Sequence, residues 1–229
     1  MKILAIDSTA MVSAVALVDE TKVIAELSTN FKKTHSETLM PMIESIKNMA
    51  ELDLTEIDFI ACASGPGSFT GLRIGVATAK GLARGLGKKI IPVPTLDALA
   101  YNIFESSKII VPIMDARREQ VYSCLYRWER SKLKKLTEYF AENIAVLVEK
   151  VNQYEEGAVF LGDASIVHKE YISNHAQNAL LAPSHLNMQL ASAVGSLACE
   201  YVDTAVSPKD FSPFYLRVPQ AERELRAKK

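Results

Sequence analysis

The chain has 229 residues, of which 48% are hydrophobic and 23% are charged, and its 26 lysines and arginines nearly balance its 27 aspartates and glutamates. This composition is that of an ordinary globular protein, and it excludes a disordered chain, a collagen and a coiled-coil rod. The formal net charge of −1 excludes a strongly basic protein that binds nucleic acid by its own charge, so a role with RNA would have to be carried by a partner.

The three cysteines, Cys62, Cys124 and Cys199, are far apart in the sequence, and each lies in an apolar stretch. This usage predicts reduced thiols in the interior of a cytoplasmic protein rather than a disulfide framework. The chain reaches Asp7 after only four apolar residues, which is too early for a secretory signal. We therefore expect a cytoplasmic protein without a membrane-spanning segment.

The first half of the chain alternates strand-like and helical runs. Strand-like runs at residues 2–6, 13–18 and 23–28 are joined by links short enough for hairpins, and a helix with apolar residues at helical spacing follows. We expect Thr38 to cap this helix, because Pro41 then falls in its first turn. The next predicted elements are a strand at 57–63, a helix at 70–86, a strand at 89–92 and a helix at 96–104.

The second half repeats this order. Its predicted strands span residues 108–114, 120–126, 136–140 and 158–161, and its predicted helices span 143–153, 165–172 and 188–203, the last capped by Asn187. A duplicated βββαβαβα order predicts an α/β protein with two similar lobes rather than one sheet. We assign residues 1–104 to the N-terminal lobe and 105–208 to the C-terminal lobe, with the tail 209–229 rejoining the first lobe.

Seven of the ten glycines lie between residues 65 and 87. The segment 64–75, Ser-Gly-Pro-Gly-Ser-Phe-Thr-Gly-Leu-Arg-Ile-Gly, follows a strand and opens a helix, so it favours a tight turn whose backbone N–H groups form a potential anion site. Its spacing matches neither a Walker loop nor a dinucleotide-binding fingerprint. The alternative is a turn that only lets the strand and the helix pack closely.

Small residues form two stripes on the helix that follows this turn. One stripe contains Gly71, Gly75 and Ala79, and the other contains Ala77, Gly81 and Gly85. Such stripes let another backbone approach closely, either in the protein's own sheet or in another subunit. Because Gly75 and Gly81 point about 240° apart at 100° per residue, at most one stripe can face a partner.

Six motifs, in order along nearly the whole chain, resemble one family closely. They occupy residues 3–9, 34–41, 64–75, 94–99, 114–118 and 213–222. The family is TsaB, also called YeaZ, of the bacterial pathway that makes threonylcarbamoyladenosine in tRNA. The duplicated pattern is similar to that of the sugar kinase, Hsp70 and actin superfamily, in which two ribonuclease-H-like lobes enclose a nucleotide cleft.

The resemblance implies a non-catalytic subunit that pairs through its first lobe with a homologous catalytic subunit, TsaD, on which the ATPase TsaE docks. Together they attach a threonylcarbamoyl group to N6 of adenosine 37 in tRNAs that read codons beginning with A. We expect the partner interface, and a homodimer in the partner's absence, to use an apolar helix stripe and the glycine segment. The expected residues are Leu39, Met42, Ile43, Ile46, Gly65, Pro66, Gly67, Phe69, Gly71, Arg73 and Gly75.

The resemblance also implies a nucleotide cleft, which we interpret as a relic that needs no cofactor or metal. Its expected residues are Asp7, Ser8, Thr9, Asp115 and Gly162. Asp163 stands where the superfamily has a second glycine, and its carboxylate would repel phosphate. Arg117 and Arg118 are expected to neutralise Asp115, and Asp7 is expected to hold its own turn together.

Two other functions compete with this interpretation. A small ATP-dependent phosphotransferase would use Asp7 and Asp115, whereas a peptidase would need a nucleophile and a nearby histidine, and the sequence offers no nucleophile elbow. The four histidines, at positions 35, 168, 175 and 185, are not spaced as a two-histidine metal site on one helix face. A basic stretch at 127–138 is predicted to be a solvated hairpin, with contact to RNA as the alternative.

Overall fold

The computed structural model describes residues 1–31 and 34–217, which form two sheets with helices on their faces. The first half of the chain contains β1 (Ile3–Asp7), β2 (Ser13–Val18), β3 (Val23–Thr29), α1 (His35–Met49), β4 (Phe59–Gly65), α2 (Phe69–Leu86), β5 (Lys89–Pro94) and α3 (Thr95–Tyr101). The first sheet has the order β3-β2-β1-β4-β5, in which β1 to β3 are antiparallel and β1, β4 and β5 are parallel.

The second half of the chain builds the other sheet. Its elements are β6 (Ile109–Asp115), β7 (Gln120–Ser123), β8 (Tyr126–Glu129), β9 (Lys132–Lys135), β10 (Phe140–Asn143), α4 (Ile144–Val151), β11 (Ala158–Leu161), α5 (Asp163–Val167), α6 (Lys169–His175), β12 (Leu180–Leu181) and α7 (Ala191–Glu200). The order is β10-β7-β6-β11-β12, and β8 leaves this path to pair with β6 and β9. The predicted two-lobe α/β fold is therefore confirmed.

Helix α1 begins one turn earlier than predicted. Thr34 is its N-cap, and the backbone N–H of Thr34 donates to the Glu37 carboxylate at 3.0 Å in a capping box. Thr38 is a buried residue of the first turn, and its hydroxyl donates to Ser13 Oγ at 2.9 Å. Pro41 consequently lies inside the helix rather than in its first turn.

The predicted strand at 120–126 is two strands, and the predicted strand at 136–140 lies between two others. The chain leaves β7 after Ser123 and forms a β8–β9 hairpin, whose turn residues Arg130 and Ser131 both have positive φ, at 51° and 59°. Such a turn is favoured by the twist of a two-residue hairpin, but it is usually marked by glycine or asparagine. The sequence carries neither residue there, so the bounds of the two strands were not predicted, although a hairpin was expected for the basic stretch 127–138.

Helix α7 packs on the first sheet, although it comes late in the chain. It lies against β1 and β2, where Gly195 approaches Val18 so closely that a Cβ would stand closer than 3.0 Å to the Val18 side chain. The predicted division into 1–104 and 105–208 therefore does not describe this helix. The predicted cap is also wrong, because Asn187 is buried and accepts hydrogen bonds from the Gly162 N–H and the Ser165 hydroxyl.

A strap formed by residues 206–217 follows α7 and also returns to the first sheet. Val206 pairs with Ile90, Phe211 is buried in the core around α1 and α2, and the Phe214 N–H donates to the Ser64 carbonyl at 2.7 Å. The predicted tail beyond residue 217 lies outside the described residues. Among the helices of the described ranges, none is long and apolar enough to cross a membrane.

Candidate functional site: the inter-lobe cleft and the outer face of helix α2

A cleft with a volume of about 360 Å³ opens between the two lobes. Thr9, Pro66 and Ser68 line it from the first lobe, and Asp115 and Asp163 line it from the second. The end of the strap closes one side with Phe214, Tyr215, Leu216 and Arg217. Of the five residues that the sequence assigned to this cleft, Thr9 and Asp115 are in its lining.

The side chains of Asp7 and Ser8, at the end of β1 and in the turn after it, are buried in the protein. Asp7 is 1% exposed, and its Oδ1 accepts hydrogen bonds from the Thr9 N–H at 2.8 Å and the Thr9 hydroxyl at 2.7 Å. Burial raises the pKa of Asp7 to about 6, although both hydrogen bonds favour the charged form. Ser8 is buried as well and donates to the Gly71 carbonyl at 2.9 Å. The predicted structural role of Asp7 is confirmed, whereas the placement of Asp7 and Ser8 in the cleft is wrong.

The turn after β6 presents a neutralised carboxylate to the cleft. Asp115 Oδ1 accepts from the Arg117 N–H at 2.7 Å, and the Arg117 guanidinium lies 3.5 Å from Asp115 Oδ2. The Asp115 N–H donates to Asp163 Oδ1 at 3.0 Å, and burial raises the pKa of Asp163. The prediction that an arginine pairs with Asp115 is confirmed for Arg117.

Gly162 is required by packing. Its φ is +104°, and a Cβ there would stand closer than 3.0 Å to the Ile113 carbonyl oxygen. Because the residue is buried under β6 rather than in the lining of the cleft, its assignment to the nucleotide cleft is wrong.

The glycine segment also serves the protein's own packing. A Cβ at Gly65 or Gly67 would meet the Phe214 or Thr9 carbonyl oxygen at less than 3.0 Å, so this turn is pressed between the strap and the turn after β1. Pro66, after a cis peptide bond, is buried and lines the cleft. The close packing of Gly65 and Gly67 is thus explained within the chain, and a partner contact of the three residues stays a prediction.

Two other predicted interface residues, Phe69 and Arg73, contact the strap. The Phe69 ring lies 5.1 Å from the Tyr215 ring, and the Arg73 guanidinium lies 3.8 Å above Phe69. Arg73 Nε donates to the Tyr215 hydroxyl at 3.1 Å. These contacts hold both side chains against the protein's own chain, at the edge of the cleft.

The apolar stripe of α1 belongs to the core of the first lobe. Leu39, Ile43 and Ile46 are at most 3% exposed, and Met42 packs against the same cluster. Leu39, Ile43 and Ile46 therefore cannot face a partner, and the prediction is wrong for them. Met40, which lies beside this stripe on the side next to α2, is 51% exposed.

The two small-residue stripes of α2 have different surroundings. A Cβ at Gly71 or Gly75 would stand closer than 3.0 Å to an oxygen of Ser8, so that stripe contacts the turn after β1. The prediction that Gly71 and Gly75 reach a partner is wrong. At Gly81 and Gly85 a Cβ would have nothing within 4 Å among the described residues.

The exposed stripe is the centre of a surface that we call the α2 outer face. It consists of Met40, Ala77, Thr78, Gly81, Leu82, Gly85 and Leu86. Sequence reasoning identified the stripe of Ala77, Gly81 and Gly85 but chose the other one. The two stripes diverge around the helix, and the burial of the large residues Leu72 and Val76 decides which stripe points outward.

One serine–histidine pair bears on the peptidase alternative. His35 Nδ1 is hydrogen-bonded to Ser13 Oγ, and His35 Nε2 lies 2.9 Å from the Ala10 carbonyl oxygen. Ser13 is 2% exposed and absent from the lining of the cleft, so its hydroxyl has no access to a substrate. The two ring nitrogens of His35 hold the start of α1 to β2 and to the turn that precedes β2.

Some basic side chains of the stretch 127–138 pair with acidic residues of the chain, and others are exposed. The Arg127 guanidinium pairs with Glu156, and Lys135 pairs with the buried Asp97. Arg130, Lys132 and Lys134 are exposed on the β8–β9 hairpin. Within the described ranges, no group of three or more histidine, cysteine, aspartate or glutamate side chains is placed to hold a metal ion.

Comparison with known proteins identifies the family. Residues 22–224 match the family model described as "TsaD: tRNA N6-adenosine threonylcarbamoyltransferase". The "tRNA threonylcarbamoyladenosine biosynthesis protein TsaB" of Bacillus subtilis is 38% identical over 174 residues, which are 76% of each chain. The protein of the same name from Haemophilus influenzae is 29% identical over 229 residues, covering 95% of this chain and 94% of that one.

The fold agrees with these matches. The solved structure "YeaZ from Pseudomonas aeruginosa" superposes with a TM-score of 0.77 at 23% identity, and the match covers 94% of this chain and 99% of that one. Together with the sequence matches, this places the chain in the TsaB (YeaZ) family of tRNA threonylcarbamoyladenosine biosynthesis proteins.

Proposed function

We propose that the chain is a non-catalytic subunit of the complex that attaches a threonylcarbamoyl group to N6 of adenosine 37 in tRNAs reading codons that begin with A. In this proposal its α2 outer face binds a TsaD-like catalytic subunit, and a TsaE-like ATPase joins the pair. tRNA reaches the chain only through the complex. The observation that carries the proposal is the open small-residue stripe of α2.

The α2 outer face has the shape and chemistry of a helix-docking surface. Ala77, Gly81 and Gly85 leave a smooth track along the helix, so a partner helix can approach its backbone closely. Met40 and Leu82 add apolar surface beside this track, and methionine adapts its shape readily to a partner. A continuous apolar patch of this kind on a water-exposed face marks an interaction site.

The same face is expected to form a homodimer in the absence of the partner. A surface that accepts a helix can accept its own copy around a two-fold axis, because each copy presents the same stripe to the other. The TsaD-like subunit and the second copy then compete for one face. Adding the catalytic subunit is expected to convert the homodimer into a mixed complex rather than to bind beside it.

The cleft supports a non-catalytic role. Asp7, which a phosphotransferase would use, is buried beneath the turn after β1, and the Asp115 carboxylate is engaged by Arg117. Asp163 adds a second carboxylate to the lining, which opposes the binding of a phosphate chain. None of the three is placed as an open ligand for a magnesium–nucleotide complex.

The central experiment is capture of the TsaD-like subunit of the same organism by the tagged chain, followed by assay of threonylcarbamoyladenosine in tRNA. Gly81→Leu is expected to abolish capture and tRNA modification, and Glu149→Leu, at an exposed position of α4, is the matched control that retains both. Capture and modification that are unchanged by Gly81→Leu would contradict the proposed interface.

A second experiment addresses the phosphotransferase alternative. Calorimetry with ATP and magnesium is expected to show no micromolar binding to the isolated chain, and the chain alone is expected to show no significant ATP turnover. Magnesium-dependent turnover that Asp7→Ala or Asp115→Ala abolishes would instead establish the phosphotransferase.

A further inference from the structure

Helix α3 lies between the two sheets and contacts both. It packs against β4 and β5 of the first sheet, β6 of the second, and α7. The apolar cluster around it mixes residues of both lobes, with Leu96 and Leu99 of α3 beside Ala10 of the first lobe and Met114 of the second. Apolar contact is non-directional, so this cluster holds the lobes together without fixing the angle between them.

A buried carboxylate stands inside this apolar interface. Asp97 of α3 is 2% exposed. Its Oδ1 accepts hydrogen bonds from the hydroxyls of Tyr126 at 2.6 Å and Tyr139 at 2.7 Å, and its Oδ2 accepts from the Tyr201 hydroxyl at 3.0 Å. The Lys135 ammonium lies 3.1 Å from Oδ2. Four donors thus occupy a group that offers about four acceptor positions.

The donors come from both lobes. Tyr126 is on β8, Lys135 ends β9, and Tyr139 precedes β10, so three of them belong to the second sheet. Tyr201 follows the last residue of α7, which packs on the first sheet. Burial and the nearby charge of Asp97 raise the pKa of the Tyr126 and Tyr201 hydroxyls, which therefore remain protonated donors.

We infer that Asp97 is an inter-lobe lock, which fixes the angle between the two sheets so that the cleft keeps a single width. Hydrogen bonds to a charged group require short distances and near-linear angles. A rotation of one lobe about α3 would pull the three second-sheet donors away and leave the buried Asp97 carboxylate with only Tyr201 of these four donors, which is strongly unfavourable. This inference does not depend on the proposed function.

A second contact supports the same arrangement. The Trp128 indole N–H on β8 donates to the Ile103 carbonyl just after α3, and the Trp128 ring lies 4.9 Å from the Phe104 ring. The β8–β9 hairpin is therefore held to the end of α3 at two places. Its movement would have to break both sets of contacts together.

The test is a distance measurement between the lobes by pulsed electron spin resonance. Nitroxide labels are placed at Lys22→Cys in the β2–β3 turn and Glu149→Cys on α4, both exposed positions, in a Cys199→Ser background because Cys199 is only half-buried. The otherwise unchanged chain, diluted with a large excess of unlabelled chain so that only distances within one chain contribute, is expected to show one narrow distance population. Asp97→Asn, which keeps the side-chain shape but replaces one oxygen by a donor, is expected to add a second population.

A variant that keeps the Asp97 carboxylate but removes two of its donors, together with a matched control, completes the test. Tyr139→Phe combined with Tyr201→Phe removes one donor from each lobe and is expected to broaden the distribution, and it decides the question if Asp97→Asn does not fold. Tyr101→Phe removes a nearby hydroxyl that donates to Glu200 instead, at 3.2 Å, and is expected to leave the distribution narrow. Two populations in the unchanged chain, or folded Asp97 and double-tyrosine variants as narrow as that chain, would overturn the lock.

Discussion

The two small-residue stripes of α2 have nearly the same composition and the same spacing, yet one is buried and the other is open. Gly71 and Gly75 contact the turn after β1, whereas Gly81 and Gly85 face away from the protein's own chain. The difference shows that small residues at helical spacing permit a close approach but do not specify the neighbour. The large residues between the stripes set the rotation of the helix, and that rotation assigns each stripe its neighbour.

The largest effect is expected at the buried stripe. Gly75→Leu places a branched side chain where even a Cβ would meet Ser8 Oγ, and overpacking of this kind costs about 1–3 kcal/mol. We expect the melting temperature, measured by circular dichroism, to fall by roughly 3–10 °C in a domain of this size. A normal melting temperature combined with loss of association would reverse the assignment of the two stripes.

The turn beneath the buried stripe should make the free energy of unfolding depend on pH. Burial raises the pKa of Asp7 from its usual value of 3.8 to about 6, so between these pH values the folded state retains a proton that the unfolded state releases. The protonated Asp7 therefore contributes about 2–3 kcal/mol to the free energy of unfolding. This contribution is fully present below pH 4 and is lost as the pH rises through 6.

Asp7→Asn tests this dependence, because its amide oxygen can still accept both hydrogen bonds from Thr9. We expect urea titrations of the variant to lose the decline between pH 4 and pH 6 and to show a higher free energy of unfolding than the parent at pH 7. An unchanged pH profile would mean that the Asp7 carboxylate is already compensated in its turn.

At the open stripe we expect an effect on association rather than on folding. Gly81→Leu fills the track along α2, and each 1.4 kcal/mol of lost contact weakens self-association about tenfold. Light scattering over a concentration series is expected to show a homodimer for the parent and a monomer for the variant, with melting temperatures close together once the dimer contribution is removed. A dimer that persists would move the interface away from α2.

The smallest effect is expected from alanine at the open stripe, which tests whether this stripe is free of contacts within the monomer. Gly81→Ala adds only a methyl group in open space, and alanine in place of glycine inside a helix stabilises it by about 0.5–1 kcal/mol. The monomer is therefore expected to gain stability in urea titrations at low protein concentration, and Gly85→Ala should behave alike. A loss of stability at either position would show that the stripe is packed within the monomer.

Much of the fold was predictable because its strands are apolar runs separated by short polar links. The first sheet was located within about two residues on this basis. The start of α1 was predicted one turn late, because Thr38 also satisfies the requirements of a cap, whereas Thr34 with Glu37 three residues later has the sequence pattern of the capping box that the structure forms. The sheet on which α7 packs was also undetermined, since its apolar stripe predicts burial but not the neighbour.

The features of the candidate site were also predictable only in part. Local chemistry was predictable: the hydrogen bonds of Asp7 to Thr9 and the pairing of Arg117 with Asp115 follow from neighbouring residues. The contacts that site residues make with distant parts of the chain were not predictable. Leu39 looks alike whether it faces a core or a partner, and the donors that surround Asp97 come from residues 126 to 201, a separation that no local pattern encodes.

The return of α7 and the strap to the first sheet has a consequence during translation. The face of β1 and β2 that α7 covers stays open to solvent until residue 200 has left the ribosome, and Phe211 completes the other core later still. At 5–20 residues per second the N-terminal half waits on the order of 10 s for its cover. The face of the apolar strands Ile3–Asp7 and Ser13–Val18 that α7 covers is therefore exposed during that time, and an N-terminal fragment released at residue 104 would lack this cover.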